Sequence, residues 1–204
     1  MARADCCRGA RKFGRPGASL LYSALLRPYD GDPLLPLAVP LAICEAAEAV
    51  APVRCQVKWP NDVWIDERKV AGVLIEARPD QGWGVIGVGL NVAVPEEGFP
   101  PELRGQATSL APTEAEGGID AGGVPTLAGA LRELNLALGR WVEASGEEVL
   151  GAYRARDALV GRRVSWEGGT GVAAGIDGLG HLIVDVGGGS PVLLGAGEVH
   201  LAVG

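Results

Sequence analysis

Apolar and polar residues alternate along residues 56–91, and this pattern predicts a turn followed by three antiparallel strands. The apolar runs fall at residues 63–65, 70–75 and 83–90, with polar breaks at 66–68 and 78–80. Before the first run, Pro60 fixes its own φ and favours an extended conformation at Trp59. We therefore expect a stiff corner, not a loose loop, at the start of this sheet.

The rest of the chain predicts further elements on both sides of that sheet. Residues 18–27 have the apolar content of a buried strand, and residues 33–50 predict a helix with one apolar face that packs on the sheet. Leucines and a tryptophan at spacings of three and four predict a helix over residues 125–144, and a second short helix follows at 147–157. Beyond Gly161, about five short strands separated by glycine turns predict a small barrel.

Composition narrows the classes of function. A chain of 204 residues with 48% hydrophobic residues can form one well-packed domain and a small one. The net charge of -7 argues against nucleic-acid binding, which needs clustered Lys and Arg. The sequence contains neither a secretory signal nor an apolar run of the roughly 18 residues that a membrane span needs. Its 4 cysteines lack the paired spacing of metal ligands, so we expect reduced thiols in a cytoplasmic protein.

Charged and polar residues stand at unusual places around the stiff corner. Asn61 and Asp62 follow Pro60 directly, and Lys69 opens the next apolar run, with Gly72 in the same predicted strand. Charges near turns are most often a solvated hairpin end. A carboxylate beside an amide, with a lysine on the neighbouring strand, could instead hold a metal-bound nucleotide and neutralise charge developing on a phosphate.

Three motifs carry a resemblance to a known family. They are KWPND at residues 58–62, KVAGVLIE at 69–76 and GVGLNV at 87–92. In this order and spacing the chain resembles the biotin protein ligases of the monofunctional type, closely over residues 17–110 and more loosely to the C-terminus. The resemblance implies an α+β fold, with a class II aminoacyl-tRNA synthetase-like mixed sheet and helices followed by a small SH3-like β-barrel. It places the catalytic domain at residues 1–158 and the barrel at 159–204.

The resemblance also implies an activity. Enzymes of this family join biotin to a lysine of the biotin carboxyl-carrier protein domain of a biotin-dependent carboxylase, using ATP and Mg²⁺ and passing through biotinyl-adenylate. Lys69 matches the family lysine that contacts both the biotin carboxylate and the phosphate, which makes it the expected catalytic residue. Asp62 matches the position associated with Mg²⁺ and the phosphates. The remaining matches are Gly72, Arg8 and Gly9 for biotin, and Asn61 and Asn91 for the nucleotide.

The N-terminus departs from the family pattern. Residues 7–10, Cys-Arg-Gly-Ala, stand where the family has a repeated Gly-Arg loop around biotin, and the family's upstream Ser-Thr-Asn segment has no counterpart. We interpret this N-terminus as truncated or divergent. Two alternatives follow: an inactive relative that serves as a binding module, or a lipoate ligase or octanoyltransferase of the same fold, which KWPND and KVAGVLIE disfavour. An exposed sheet edge would permit a homodimer.

Overall fold

The computed structural model describes residues 18–111 and 125–202, which form ten strands and three α-helices. The first sheet has five strands in the order β1-β5-β4-β3-β2, and neighbouring strands run antiparallel. Its strands are β1 (Ser19–Leu26), β2 (Gln56–Lys58), β3 (Asp62–Ile65), β4 (Arg68–Arg78) and β5 (Trp83–Asn91). The three strands predicted within residues 56–91 are confirmed, and the structure adds the short strand β2 before them.

The structure has three α-helices in its described part, and the first two of them cover one face of the first sheet. They are α1 (Leu35–Val50), α2 (Leu127–Trp141) and α3 (Gly146–Arg154), each a little shorter than the sequence predicts. The side chain of Thr126 caps α2, and a capping box of Ser145 and Glu148 starts α3. Helix α1 packs against α2, α3 and the sheet, and it is buried on most of its surface. The single apolar face predicted for α1 is therefore too narrow.

A second five-stranded antiparallel sheet follows the helices, in the order β10-β6-β7-β8-β9. Its strands are β6 (Arg163–Trp166), β7 (Gly169–Ile176), β8 (Leu182–Asp185), β9 (Val192–Leu194) and β10 (Val199–Leu201). These are the five short strands that the glycine turns predict, and the α+β fold class with its small SH3-like β-barrel is confirmed. Buried residues of both sheets form one continuous apolar core with α1, and the domain boundary near residue 159 stays a prediction.

Strand β1 corrects one prediction, because it is an edge strand and not a buried one. Alternate residues point away from the helices, and Leu21 and Leu25 are 62% and 63% exposed. The helices cover only one face of the sheet, so a strand that is apolar on both faces must leave one apolar face outside. A homodimer through this edge also stays a prediction.

An ion pair fixes the start of β2 against the helices. Glu48 on α1 accepts hydrogen bonds from both terminal nitrogens of Arg156, at 2.6 and 2.8 Å, and one from the backbone N–H of Cys55 at 2.9 Å. Arg156 also donates to the carbonyl of Cys55 at 3.1 Å. The side chains of Arg156 and Glu48 are 28% and 27% exposed, and the pair holds the strand that leads into the corner.

We expect acid to weaken this anchor in the parent protein and much less in Arg156→Met. Burial alone would raise the pKa of Glu48, but the hydrogen bonds from Arg156 and Cys55 outweigh it and hold the pKa below its ordinary value of 4.5. A lowered folded-state pKa stabilises the fold at pH values above the unfolded pKa, and this contribution disappears as the pH falls through the folded pKa. Melting temperatures between about pH 7 and about pH 3 should therefore fall more steeply for the parent.

Arg154→Met, at the end of α3, is the matched control for the loss of one guanidinium group. The melting temperature of this variant should fall as steeply with decreasing pH as that of the parent. The same slope in the parent and in Arg156→Met would show that the ion pair does not stabilise the fold.

Candidate functional site

The corner between β2 and β3 brings Lys58 and Asp62 side by side. These two residues are direct partners across the hairpin, and Trp59, Pro60 and Asn61 connect them through a cis Trp59–Pro60 peptide bond. The Nζ atom of Lys58 lies 3.9 Å from Oδ2 of Asp62 and 5.5 Å from the centre of a Trp64 ring. The corner therefore presents a carboxylate with one ammonium group already beside it.

A bulge in β4 brings Lys69 to the same place. Asp62 pairs with Gly72, but two steps along β3 its residue Trp64 pairs with Lys69, three residues from Gly72 on β4. One extra residue thus sits in β4, at Val70. In a regular strand Lys69 and Gly72 would point to opposite faces, whereas a bulge re-aims the side chain. The Nζ atom of Lys69 lies 2.5 Å from Oδ1 of Asp62.

Two ammonium groups now share one carboxylate. The side chain of Lys58 is 15% exposed and that of Lys69 is 48% exposed. Burial lowers the pKa of Lys58 and the nearby charge of Lys69 lowers it further, while the charges of Asp62 and of Glu198 act in the opposite direction. The three groups together carry a net positive charge, so this cluster attracts an anion that reaches it from solvent.

A strip of glycines extends from this charge cluster across the face of the sheet that the described helices leave open. Gly72 pairs with Gly89 on β5, and Gly87 lies two residues further along the same face of β5. We call these three residues the glycine floor. The exposed side chains of Leu21 and Leu74 flank it on β1 and β4. The absence of side chains leaves the backbone open to a flat apolar group, whose far end would meet Lys69.

The segment after β5 fixes the backbone at two positions of the site. Lys69 donates its N–H to the carbonyl of Gln106 and accepts at its own carbonyl from Thr108, both at 2.8 Å. The Asn91 side chain donates to the carbonyl of Thr108 at 3.0 Å, and Ser109 accepts from the backbone of the chain after β5. Thr108 and Ser109 are buried, so this segment holds Lys69 and the end of β5 together.

The two predicted nucleotide asparagines already have structural partners. The Asn61 side chain donates to the carbonyl of Val73 at 2.8 Å, and its backbone carbonyl accepts from Val73 at 2.9 Å. Asn91 bonds to Thr108 and accepts a 3.4 Å bond from Ser19. One N–H of each side-chain amide therefore holds the fold, and a contact with the nucleotide would involve the second N–H or the side-chain oxygen. Their nucleotide roles stay predictions.

The predicted site residues divide into three groups. Lys69, Asp62 and Gly72 lie together, Asn61 and Asn91 border them, and Arg8 and Gly9 lie outside the described residues. Sequence reasoning assigned no site role to Lys58 or to Gly87 and Gly89, the two floor glycines of β5. The spacing of Lys58 and Asp62 across a three-residue turn could have indicated the pair, and the in-phase glycines of GVGLN could have indicated the floor.

A resident metal site is not formed by the described part of the chain. Within residues 18–111 and 125–202, no three His, Cys, Asp or Glu side chains are grouped so that they could hold a metal ion. Asp62 alone, with an ammonium group on either side, suits Mg²⁺ only when phosphate oxygens supply the other ligands. Among the described helices, none is long and apolar enough to cross a membrane.

Comparison with known proteins places this site in a family. Residues 8–91 match the model of the biotin/lipoate A/B protein ligase family. The biotin--[acetyl-CoA-carboxylase] ligase of Paracoccus denitrificans is 30% identical over an alignment of 190 residues. The alignment covers 87% of this chain and 78% of that protein. This chain belongs to the biotin/lipoate A/B protein ligase family. The resemblance carried by its three motifs is thereby confirmed.

Two further members of the family support the match. The biotin--[acetyl-CoA-carboxylase] ligase of Mycobacterium tuberculosis is 38% identical over 176 residues, 82% of this chain, and this chain spans only 62% of the length of that relative. The solved structure of the biotin protein ligase from Aquifex aeolicus in complex with biotin and ATP shares 28% sequence identity with this chain, with a TM-score of 0.70. The superposed part covers 91% of this chain and 79% of the Aquifex aeolicus chain.

Proposed function

We propose that this chain attaches biotin to a lysine of a biotin carboxyl-carrier protein domain through biotinyl-adenylate, with ATP and Mg²⁺. The observation that carries the proposal is the position of Lys69, whose ammonium group lies over Gly72 at the end of the glycine floor, against Asp62. An apolar ring system on the floor would direct its carboxylate tail to this charge. Membership of the family and the titles of its relatives support the choice of biotin.

The first step joins two anions, and this is its main difficulty. An oxygen of the biotin carboxylate attacks the α-phosphorus of ATP, forming a C–O–P linkage. The bond from that phosphorus to the β-phosphate oxygen breaks, and pyrophosphate leaves. The ammonium groups of Lys69 and Lys58 would stabilise the charge that develops where the anions meet. Asp62 would contribute one oxygen to the Mg²⁺ that enters with the phosphates.

The second step transfers the biotinyl group. The neutral amine of the carrier lysine attacks the acyl carbon of the adenylate, a C–N bond forms, and the bond to the AMP oxygen breaks. AMP carries away the electron pair of that bond, and the amine proton passes to water. In this scheme biotin and the carrier lysine are the nucleophiles, and no protein side chain forms a covalent bond with a substrate. The residues of the site act by binding and orienting the substrates and by stabilising charge.

The direct test is incubation of the chain with biotin, MgATP and a biotin carboxyl-carrier domain, followed by the mass of the carrier. We expect the mass to increase by one biotinyl group. Carrier with its target lysine replaced by arginine, and reactions without ATP, should show no increase. Release of pyrophosphate without carrier would report the first step separately.

Other outcomes would overturn the proposal in distinct ways. Transfer of lipoate or octanoate in place of biotin would make the chain a lipoate ligase or octanoyltransferase. Absence of both carrier modification and pyrophosphate release would favour the inactive relative that serves as a binding module.

A further inference from the structure

Trp59 connects the corner of the site to the second sheet. Its side chain is 2% exposed, and its indole Nε1–H donates to the carbonyl of Gly180 at 3.0 Å. Gly180 lies in the turn between β7 and β8. Trp59 follows Lys58 directly in the sequence, and it is hydrogen-bonded to a turn of the second sheet that lies 121 residues further along the chain.

The turn that supplies the acceptor is itself well fixed. Oδ1 of Asp177 accepts from the backbone N–H groups of Leu179 and His181, at 2.8 and 2.9 Å, and Oδ2 lies 2.8 Å from the His181 ring. Gly180 has a φ of +82° and packs so closely on α1 that a Cβ there would lie 3.1 Å from Leu37. The bonds of Asp177 on one side and the packing against α1 on the other fix the position of the Gly180 carbonyl, so it can anchor Trp59.

Other contacts between this region and the second half of the chain lie on either side of the corner. Val57 in β2 forms two backbone hydrogen bonds, of 2.8 and 3.0 Å, with the segment that leads from α3 into the second sheet, but these bonds hold the strand before the corner. Arg162 forms a 2.7 Å ion pair with Glu67 in the turn between β3 and β4, but both side chains are well exposed. Exposed ion pairs contribute little to positioning. The hydrogen bond of Trp59 is better sheltered, because the indole is buried and Gly180 is only partly exposed, so its loss should affect the corner more strongly.

We propose that Trp59 is a positioning residue, which anchors the corner to the second sheet and so keeps Asp62 between Lys58 and Lys69. The inference rests on the proposed function for its link to nucleotide binding. Anchoring itself is a property of the fold and can be measured separately. Because Asp62 and Lys58 are the residues nearest to Trp59 in the site, loosening the anchor should affect the nucleotide more than biotin.

The test compares Trp59→Phe with Trp141→Phe. Trp141 also donates its indole N–H, to Glu45 at 2.9 Å, but it lies on α2 away from the corner. The first readout is hydrogen exchange of the Val73 amide, which bonds to the Asn61 carbonyl at 2.9 Å and reports whether the corner stays closed. The second is the KM for ATP against the KM for biotin.

We expect Trp59→Phe to exchange the Val73 amide about tenfold faster and to raise the KM for ATP by a similar factor, since a lost buried hydrogen bond has roughly this effect. Trp141→Phe should change neither. Unchanged exchange at Val73 in Trp59→Phe, or an equal increase in both variants, would overturn the inference. An inactive parent would overturn the proposed function alone, and exchange would still decide the anchoring.

Phenylalanine also shrinks a buried ring, so a second variant separates packing from hydrogen bonding. β-(3-Benzothienyl)alanine at position 59 keeps the shape of the indole and lacks only its N–H donor. The same faster exchange with this residue would support the anchor. Parent-like exchange and parent-like KM values would overturn it.

Discussion

Replacing Lys69 with methionine is expected to lower the rate of pyrophosphate release roughly 10²-fold or more, the usual effect of removing one group that stabilises an anionic transition state. Methionine keeps most of the apolar stem and removes the charge. The ammonium group lies 2.5 Å from Asp62, over Gly72, where a carboxylate resting on the glycine floor would meet a phosphate. The rate of pyrophosphate release, measured in quenched time points at saturating biotin and ATP, would report the effect.

Stability should hardly change in the same variant. Lys69 is about half exposed, and its ion pair with Asp62 is of the partly solvated kind that contributes about 0–1 kcal/mol. Asp62 also keeps Lys58 as a partner at 3.9 Å. Arg78→Met, at the other end of β4, is the control for loss of a cation from the same strand. Equal rates for Lys69→Met, Arg78→Met and the parent would remove Lys69 from the reaction.

Much of the first sheet could be predicted because alternation and turn chemistry act locally. The polar break at Asp66 and Glu67 marks the turn between β3 and β4, and both residues indeed have positive φ values, of 48° and 62°. The motifs gave Lys69 and Asp62 as site residues, and the structure brings them into contact. Strands joined by short turns have few alternative registers, so the neighbouring strands of this part of the sheet could be inferred from their order in the sequence.

The bulge at Val70 could not be predicted from the sequence. Counting by twos from Gly72 places Lys69 on the opposite face of the strand, which the helices cover and where a lysine could not reach the glycine floor. The extra residue becomes evident only from the pairing of β4 with β3 and from the backbone bonds of Lys69 to Gln106 and Thr108. The site therefore depends on a pairing irregularity fixed by a segment nearly 40 residues further along the chain.

The exposure of β1 escaped prediction for a related reason. Its sequence is apolar on both faces, which is typical of a strand with cover on each side. Leu21 lies beside the glycine floor, Leu25 lies further along β1 opposite Val85, and both point away from the helices. An apolar surface next to a floor of glycines suits a ligand or a further segment of chain, and neither leaves a signal in the local pattern of β1.

The glycine floor leads to the second large effect, which is expected for Gly72→Ala. A Cβ at this position would lie 3.1 Å from Cε and 3.2 Å from Nζ of Lys69, and 3.6 Å from Asp62. The added methyl group would occupy the floor and move the ammonium group by a few tenths of an ångström. It would also lift biotin off the floor by about 1 Å, and displacements of this size in a reacting group cost about 10²-fold, so kcat/KM for biotin should fall by roughly that factor in assays of pyrophosphate release.

Folding should not be the cause of that loss. Gly72 lies in a strand with an ordinary backbone conformation, where alanine is at least as favourable as glycine. Gly139→Ala is the matched control, because a Cβ there meets nothing within 4 Å and α2 should gain about 0.5–1 kcal/mol of stability with unchanged activity. If Gly72→Ala melts like the parent and keeps its kcat/KM for biotin, the floor is not where biotin lies. If its activity falls while it melts like the parent and the control stays active, crowding at the junction of the floor and Lys69 is the cause, since a methyl group that touches nothing has no such effect.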